Sequence, residues 1–214
     1  MSTQMAKAAG TAGNRIYREN SLMLPAAKPP EDAFSKKRAR LLEVIQRKSL
    51  LKGKFKLASG AWSNYYLDMK PTTFDAEGAN LVADIVHSML DDDREIEAIG
   101  GLEVGSVPIV VGVVMRSWGS NHPLSGFVVR KEKKGHGTDK LIDGNFRPSA
   151  PVVLFEDVTT KGDSVMQAVR EVRAQGGRVN KIITLVDRLE GAAERLRQEK
   201  IDFEAIYTAP ELLR

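Results

Sequence analysis

Between residues 96 and 207 the chain carries five short apolar runs: Ile96 to Gly101, Phe127 to Val129, Val152 to Phe155, Ile182 to Val186 and Ala205 to Tyr207. They are rich in β-branched residues and bounded by glycine or charge, the pattern of strands buried on both faces, and such strands belong to parallel sheets. Parallel neighbours need a crossover connection, so Val107 to Met115, ambiguous by composition, is predicted to be helical. Val165 to Ala174 is a clearer helix, with Asp163 or Ser164 as cap and Gly176-Gly177 as its end. The class implied is α/β, a central, mostly parallel sheet flanked by helices.

Upstream, Ser35 can cap a helix whose apolar positions Leu41, Leu42, Val44 and Ile45 fall on one side, and Gly53 is its expected stop. Lys54 to Asp68 alternates around Ser59-Gly60 as a hairpin would. Ala79, Val82, Ile85, Val86 and Met89 then repeat at helical spacing and close at Asp91-Asp92-Asp93. Residues 1–34 read as a flexible tail and residues 35–214 as one domain, which suits a chain of 214 residues.

Composition excludes several chemistries. With no cysteine, there can be no zinc ribbon, iron-sulfur site, thiolate nucleophile or disulfide framework. Three histidines, His87, His122 and His136, without H-E-x-x-H spacing argue against a histidine metal cage. The net charge of +4 is concentrated in the first 40 residues, where eight basic residues face three acidic ones, and the body is nearly balanced. No basic face for nucleic acid is therefore expected. No stretch approaches the run of about 18 apolar residues that a membrane span requires. The first 30 residues also lack the apolar core of a secretory signal, so a cytoplasmic protein is expected.

The richest stretch runs from Val152 to Ser164, VVLFEDVTTKGDS. Four apolar residues form a buried strand, and two acids, Glu156 and Asp157, follow at its carboxyl end, where open α/β sheets bind ligands. The loop from Thr159 to Ser164 then enters a helix. Its backbone amides and the hydroxyls of Thr159, Thr160 and Ser164 can surround a phosphate that also feels the helix dipole. Gly162 permits the turn and the close approach. Carboxylates repel a bare phosphate, so the acid pair must face hydroxyls or a metal, and a ribose 5-phosphate meets both demands. The plainer alternative is an acidic helix cap behind a core strand. No Walker A sequence occurs.

This stretch resembles the phosphoribosyl-pyrophosphate motif of the type I phosphoribosyltransferases. The loop Arg130-Lys131-Glu132-Lys133-Lys134-Gly135-His136-Gly137 is similar to the mobile catalytic loop of the orotate phosphoribosyltransferases. Phe55 to Gly60 running on to Ser63-Asn64-Tyr65-Tyr66 resembles their N-terminal hairpin, which forms a small hood. Asp187 to Gly191 resembles their orotate-side motif, and Gly100 to Ile109 sits where they have a pyrophosphate loop. Together these motifs span roughly residues 35 to 210 in the family's order.

The resemblance implies transfer of ribose 5-phosphate from phosphoribosyl pyrophosphate to orotate, with Mg²⁺ carried mainly by the substrate and no firm protein ligand. It implies catalytic roles for Lys134, His136, Glu156 and Asp157. Substrate-binding roles fall to Arg130, Lys131, Thr159, Thr160, Lys161, Gly162, Asp163, Ser164, Arg188, Tyr66 and Lys56. Arg130, Lys131 and Lys134 would neutralise departing pyrophosphate, each contributing of order 3 kcal/mol by analogy with other preorganised groups. His136 would donate a hydrogen bond or proton, Arg188 would pair with the orotate carboxylate, and Tyr66 would lie against the base. A homodimer is implied, with the loop of residues 130–140 acting in trans.

Departures from the family pattern are specific. Glu156 stands where many relatives have aspartate, and Ala58 and Gly105 stand where well-known bacterial members carry lysines; Lys56, or else Lys70, would replace the lost charge. Two other readings remain: a phosphoribosyltransferase for a different nucleobase, and a non-catalytic regulator that binds phosphoribosyl pyrophosphate.

Overall fold

A computed structural model describes residues 31–56, 60, 62–132 and 140–214. Helix α1 (Glu31–Lys48) leads into a hairpin of β1 (Leu50–Lys56) and β2 (Trp62–Leu67), followed by the short α2 (Lys70–Thr73) and by α3 (Ala76–Leu90). Strand β3 (Ala98–Gly100), α4 (Val107–Ser117), β4 (Ser125–Val129) and β5 (Ile142–Gly144) come next. The remainder is β6 (Pro151–Thr159), α5 (Asp163–Ala174), β7 (Arg178–Asp187), α6 (Ala192–Gln198), β8 (Asp202–Thr208) and α7 (Ala209–Leu212).

Six strands form one sheet in the order β5-β4-β3-β6-β7-β8. All neighbours are parallel except β5, which runs against β4. Successive strand residues point to opposite faces, and β6 shows the consequence. Val153 and Phe155 pack with Leu41, Ile85 and Val113 of α1, α3 and α4 on one face. Val152 and Leu154 pack with Val165, Val169 and Leu196 of α5 and α6 on the other. Two cores covering both faces explain why the strands read as unbroken apolar runs rather than as alternation.

Several boundaries differ from the sequence expectation. Helix α1 begins at Glu31, so Ser35 lies inside its first turns, and Phe34 already packs on the core. It ends at Lys48 because Ser49, buried and hydrogen-bonded to Thr72 (2.7 Å), turns the chain into β1. Gly53 therefore stops no helix; it sits within β1 at a shift of hairpin register, with φ +150°. Helix α5 is capped by Gly162 at φ +78° with no side-chain cap bond, and Asp163 and Ser164 are its first helical residues. Strand β5, only three residues with an aspartate and a glycine, has no apolar run to announce it and exists through its pairing with β4. The residues read as a tail up to 30 lie outside the described set.

Candidate active site at the sheet switch point

From β3 the chain moves outward to β4, then returns to place β6 on the opposite side of β3. Strand order thus reverses between β3 and β6, and a crevice opens beyond their carboxyl ends, the usual ligand position in such sheets. Two segments meet there: residues 101–106, leaving β3, and residues 156–164, ending β6 and entering α5.

Their contact is very close. A Cβ on Gly105 would lie 2.5 Å from Cγ and Oδ2 of Asp157, and one on Gly101 would lie 2.3 Å from the Phe155 carbonyl oxygen. At 101 the neighbour is backbone and only glycine fits, whereas at 105 it is the end of the Asp157 side chain, which any Cβ would have to displace. Burial, together with the neighbouring charge of Asp157, pushes the Glu156 carboxyl up to about 7. The Thr159 and Ser164 hydroxyls bond to that carboxyl and oppose the shift. Asp157 is also raised by burial, against its hydrogen bond from the Val158 amide (2.9 Å) and the charge of Lys70.

Thr159 corrects the expected cradle. Its hydroxyl donates to Glu156 Oε2 (2.7 Å), lies 3.0 Å from the Thr184 hydroxyl, and is fully buried. As a late residue of β6 it points into the sheet and props Glu156, so its side chain is not on the open loop. Thr160 is half-buried and Lys161 and Ser164 are exposed. The Asp163 carboxylate is taken by Arg195 (2.5 Å), whose guanidinium also reaches the Lys161 carbonyl (3.1 Å) and lowers the Asp163 pKa. Arg195 thereby ties α6 to the mouth of the loop.

Arg188 follows β7, and its amide donates to the Thr159 carbonyl (2.9 Å), so it borders the same crevice. Its side chain is only 10% exposed and its guanidinium lies 5.0 Å from the Tyr65 ring centroid. Glu190 is at ion-pair distance (2.9 Å), yet the buried Nε has no hydrogen-bond partner. The tyrosine in this contact is Tyr65. On β2, Tyr65 shares its face with the buried Leu67, whereas Tyr66 is on the outward face, 42% exposed, with its ring 5.7 Å from that of Phe55. Counting by twos from Leu67 would have found Tyr65.

Arg130 is held at its own loop base: its Nε donates to Asp143 (2.6 Å) and Glu103 lies 3.8 Å from Nη1. Glu103 also accepts from the Lys131 amide (3.0 Å), and Gln167 bonds the Lys131 carbonyl (2.9 Å). Asp143 lay in no motif of the sequence, and Glu103, within the stretch from Gly100 to Ile109, was given no role there. Lys56 is exposed at the far end of the hairpin, paired in register with Trp62. Lys134 and His136 lie outside the described residues, as does Ala58.

No protein-family model matches the sequence. An orotate phosphoribosyltransferase of Bradyrhizobium sp. (strain ORS 278) is 44% identical over 183 residues, covering 84% of this chain and 98% of the relative. One from Nostoc sp. (strain PCC 7120) is 38% identical over 197 residues, covering 92% and 95%. The chain belongs to the orotate phosphoribosyltransferase family. Solved structures agree with that membership. The orotate phosphoribosyltransferase of Mycobacterium tuberculosis superposes with TM-score 0.73 at 31% identity, over 82% of this chain and 98% of that one. A phosphoribosyltransferase from Corynebacterium diphtheriae superposes with TM-score 0.72 at 30% identity, over 84% and 99%. Within the orotate phosphoribosyltransferase frame, the loop of residues 101–106 and the acid pair occupy one crevice, and Arg188 with Tyr65 closes its β7 side.

Proposed function

We propose that this chain transfers the 5-phosphoribosyl group of phosphoribosyl pyrophosphate to N1 of orotate, forming orotidine 5′-monophosphate and pyrophosphate in pyrimidine synthesis. The C1′–oxygen bond to pyrophosphate breaks, the C1′–N1 bond forms, and orotate gives up its N1 proton. The observation that carries the reading is the Glu156-Asp157 pair at the switch point, one strand from a buried Arg188 whose Nε still lacks a hydrogen-bond acceptor.

The acids accept from the ribose hydroxyls and stabilise positive charge as the ring approaches an oxocarbenium state. The backbone from Thr160 to Ser164, at the start of α5, holds the 5-phosphate. Arg188 pairs with the orotate carboxylate while Tyr65 fixes its plane. Lys131, Lys134 and His136 face the leaving pyrophosphate, with Arg130 joining them by exchanging Asp143 for the anion.

Among the described residues no three carboxylates or histidines converge on one point. A magnesium ion serving the reaction would take most of its oxygens from diphosphate and water. When bound it neutralises the leaving group.

A homodimer with the loop of residues 130–140 acting in trans is part of the proposal. Val111 and Met115 on α4 and Trp118 at its C-terminal cap follow one another at helical spacing with 51%, 72% and 69% exposure, an apolar stripe suited to a second copy. Among the described residues no helix is long and apolar enough to cross a membrane, and a cytoplasmic setting suits such soluble, anionic substrates.

The test is to incubate the purified chain with phosphoribosyl pyrophosphate, Mg²⁺ and separately orotate, uracil, adenine or hypoxanthine. Loss of orotate absorbance with stoichiometric pyrophosphate, abolished by EDTA, is expected. Turnover of another base in preference to orotate, or of none, would overturn the proposal.

A further inference from the structure

The loop that receives the 5-phosphate in the proposed reaction carries an acid at its centre. Helix α5 opens on Asp163, directly after Gly162 at φ +78°, with no side-chain cap bond to its first amides. Those amides attract any anion, so a carboxylate on the first helical residue competes with a phosphate for the same field and repels it. Arg195, with smaller help from Lys161 and Arg170, holds the Asp163 pKa below the usual carboxylate range, so the group stays ionised near neutral pH. Something must keep that charge off the amides.

Helix α6 is built against this loop. A Cβ on Gly162 would meet the Ala192 Cβ at 3.5 Å, and Ala192, the first residue of α6, is buried. Leu196 fixes the helix in place, fully buried in one core with Val165 and Val169 of α5. Arg195 comes three residues after Ala192 and so lies on the same side of α6. Its Nη1 donates to Asp163 Oδ1 (2.5 Å) and to the Lys161 carbonyl (3.1 Å), so one guanidinium nitrogen grips the loop on both sides of Gly162. As a stabilising contact the ion pair counts for little, because the Asp163 side chain is 76% exposed and that of Arg195 39%. What the pair does fix is the direction of the carboxylate.

We propose that Arg195 is a positioning residue for the 5-phosphate: it draws the Asp163 carboxylate toward α6, off the loop amides, and anchors the Lys161 peptide so that those amides stay aimed at the ligand. This rests on the reading of the loop given under Proposed function. Arg197, two residues on, pairs with Glu194 of its own helix and takes no part.

The experiment compares Arg195→Ala, the double variant Arg195→Ala with Asp163→Asn, and Arg197→Ala as control, all in the full-length chain. Ribose 5-phosphate is titrated calorimetrically without orotate, and kcat and KM are then measured with phosphoribosyl pyrophosphate, orotate and Mg²⁺. Arg195→Ala should weaken ribose 5-phosphate at least tenfold and raise KM for phosphoribosyl pyrophosphate by a similar factor, while kcat at saturating donor falls far less. Adding Asp163→Asn should recover most of that affinity without restoring any melting temperature lost with the ion pair, a split that a merely structural role would not produce. If Arg195→Ala fails to fold, Arg195→Met, which keeps most of the stem, takes its place in both variants. Unchanged ribose 5-phosphate affinity in the Arg195 variant, a loss that Asp163→Asn does not relieve, or an equal loss in Arg197→Ala overturns the proposal. A wild-type chain that binds ribose 5-phosphate but ignores orotate would overturn the function reading alone, and the titration would still decide Arg195.

Discussion

Glu156 combines a buried position with the ionised charge that its proposed catalytic role requires, and the two conflict. Its carboxyl is pushed up to about 7, so the folded protein retains a proton there that the unfolded chain has lost above about 4.5. Native proteins then bind more protons than unfolded ones, and stability falls as pH rises from about 4.5 to 7. Glu156→Gln should consequently melt at a higher temperature than wild type at pH 8, by up to about 3 kcal/mol, with little difference at pH 4.5. The same substitution should cripple turnover, because ribose hydroxyls need the ionised acceptor. In the wild type, kcat/KM for phosphoribosyl pyrophosphate should decline below about pH 7, which a pH–rate profile would reveal. Gly105→Ala tests the neighbouring contact. Its methyl has only the Asp157 carboxylate to displace, so the fold should survive by circular dichroism while kcat/KM drops at least tenfold, about 1.4 kcal/mol.

At the scale of elements, the strand-to-helix turn from β6 to α5, proposed to hold the 5-phosphate, depends on one left-handed residue. Gly162 has φ +78°, and a Cβ there would meet Ala192 only at ordinary contact distance, 3.5 Å. Gly162→Ala should therefore cost backbone strain rather than a clash, about 1–2 kcal/mol. A thermal melt should show a drop of roughly 2–8 °C for a domain of this size. An unchanged melting temperature would mean the turn relaxes into another conformation. The base of the basic loop is organised differently, by side chains from three elements: Glu103 ahead of α4, Asp143 on β5 and Gln167 on α5. That arrangement couples the loop covering the acids to the loop proposed to close over the diphosphate.

For the whole molecule, the proposed assembly makes a quantitative prediction. If the basic loop serves the partner's crevice, Asp157→Asn and Lys134→Ala subunits are each inactive alone but complement when mixed. In an isologous dimer that reassorts at random, about a quarter of the sites should carry neither lesion. Activity of the mixture against total protein measures this, and no recovery after verified subunit exchange would place the loop in its own subunit's site.

The parallel sheet was legible in the chain because strands buried on both faces admit no polar alternation: β4, β6, β7 and β8 contain the apolar runs that announced them, and β3 lies within its own. The acid pair and the loop after β6 were legible because chemistry and backbone there are contiguous, from Glu156 to Ser164. Tertiary structure decided what depends on residues far apart in sequence. It turned Thr159 inward to prop Glu156 against Thr184, and it set Tyr65 against Arg188. It also paired β5 to β4, held Arg130 on Asp143, and brought Gly105 against Asp157. Local pattern fixes which element a residue joins and roughly which face it occupies; which partner it meets on that face is set by packing between elements that the chain connects only at long range.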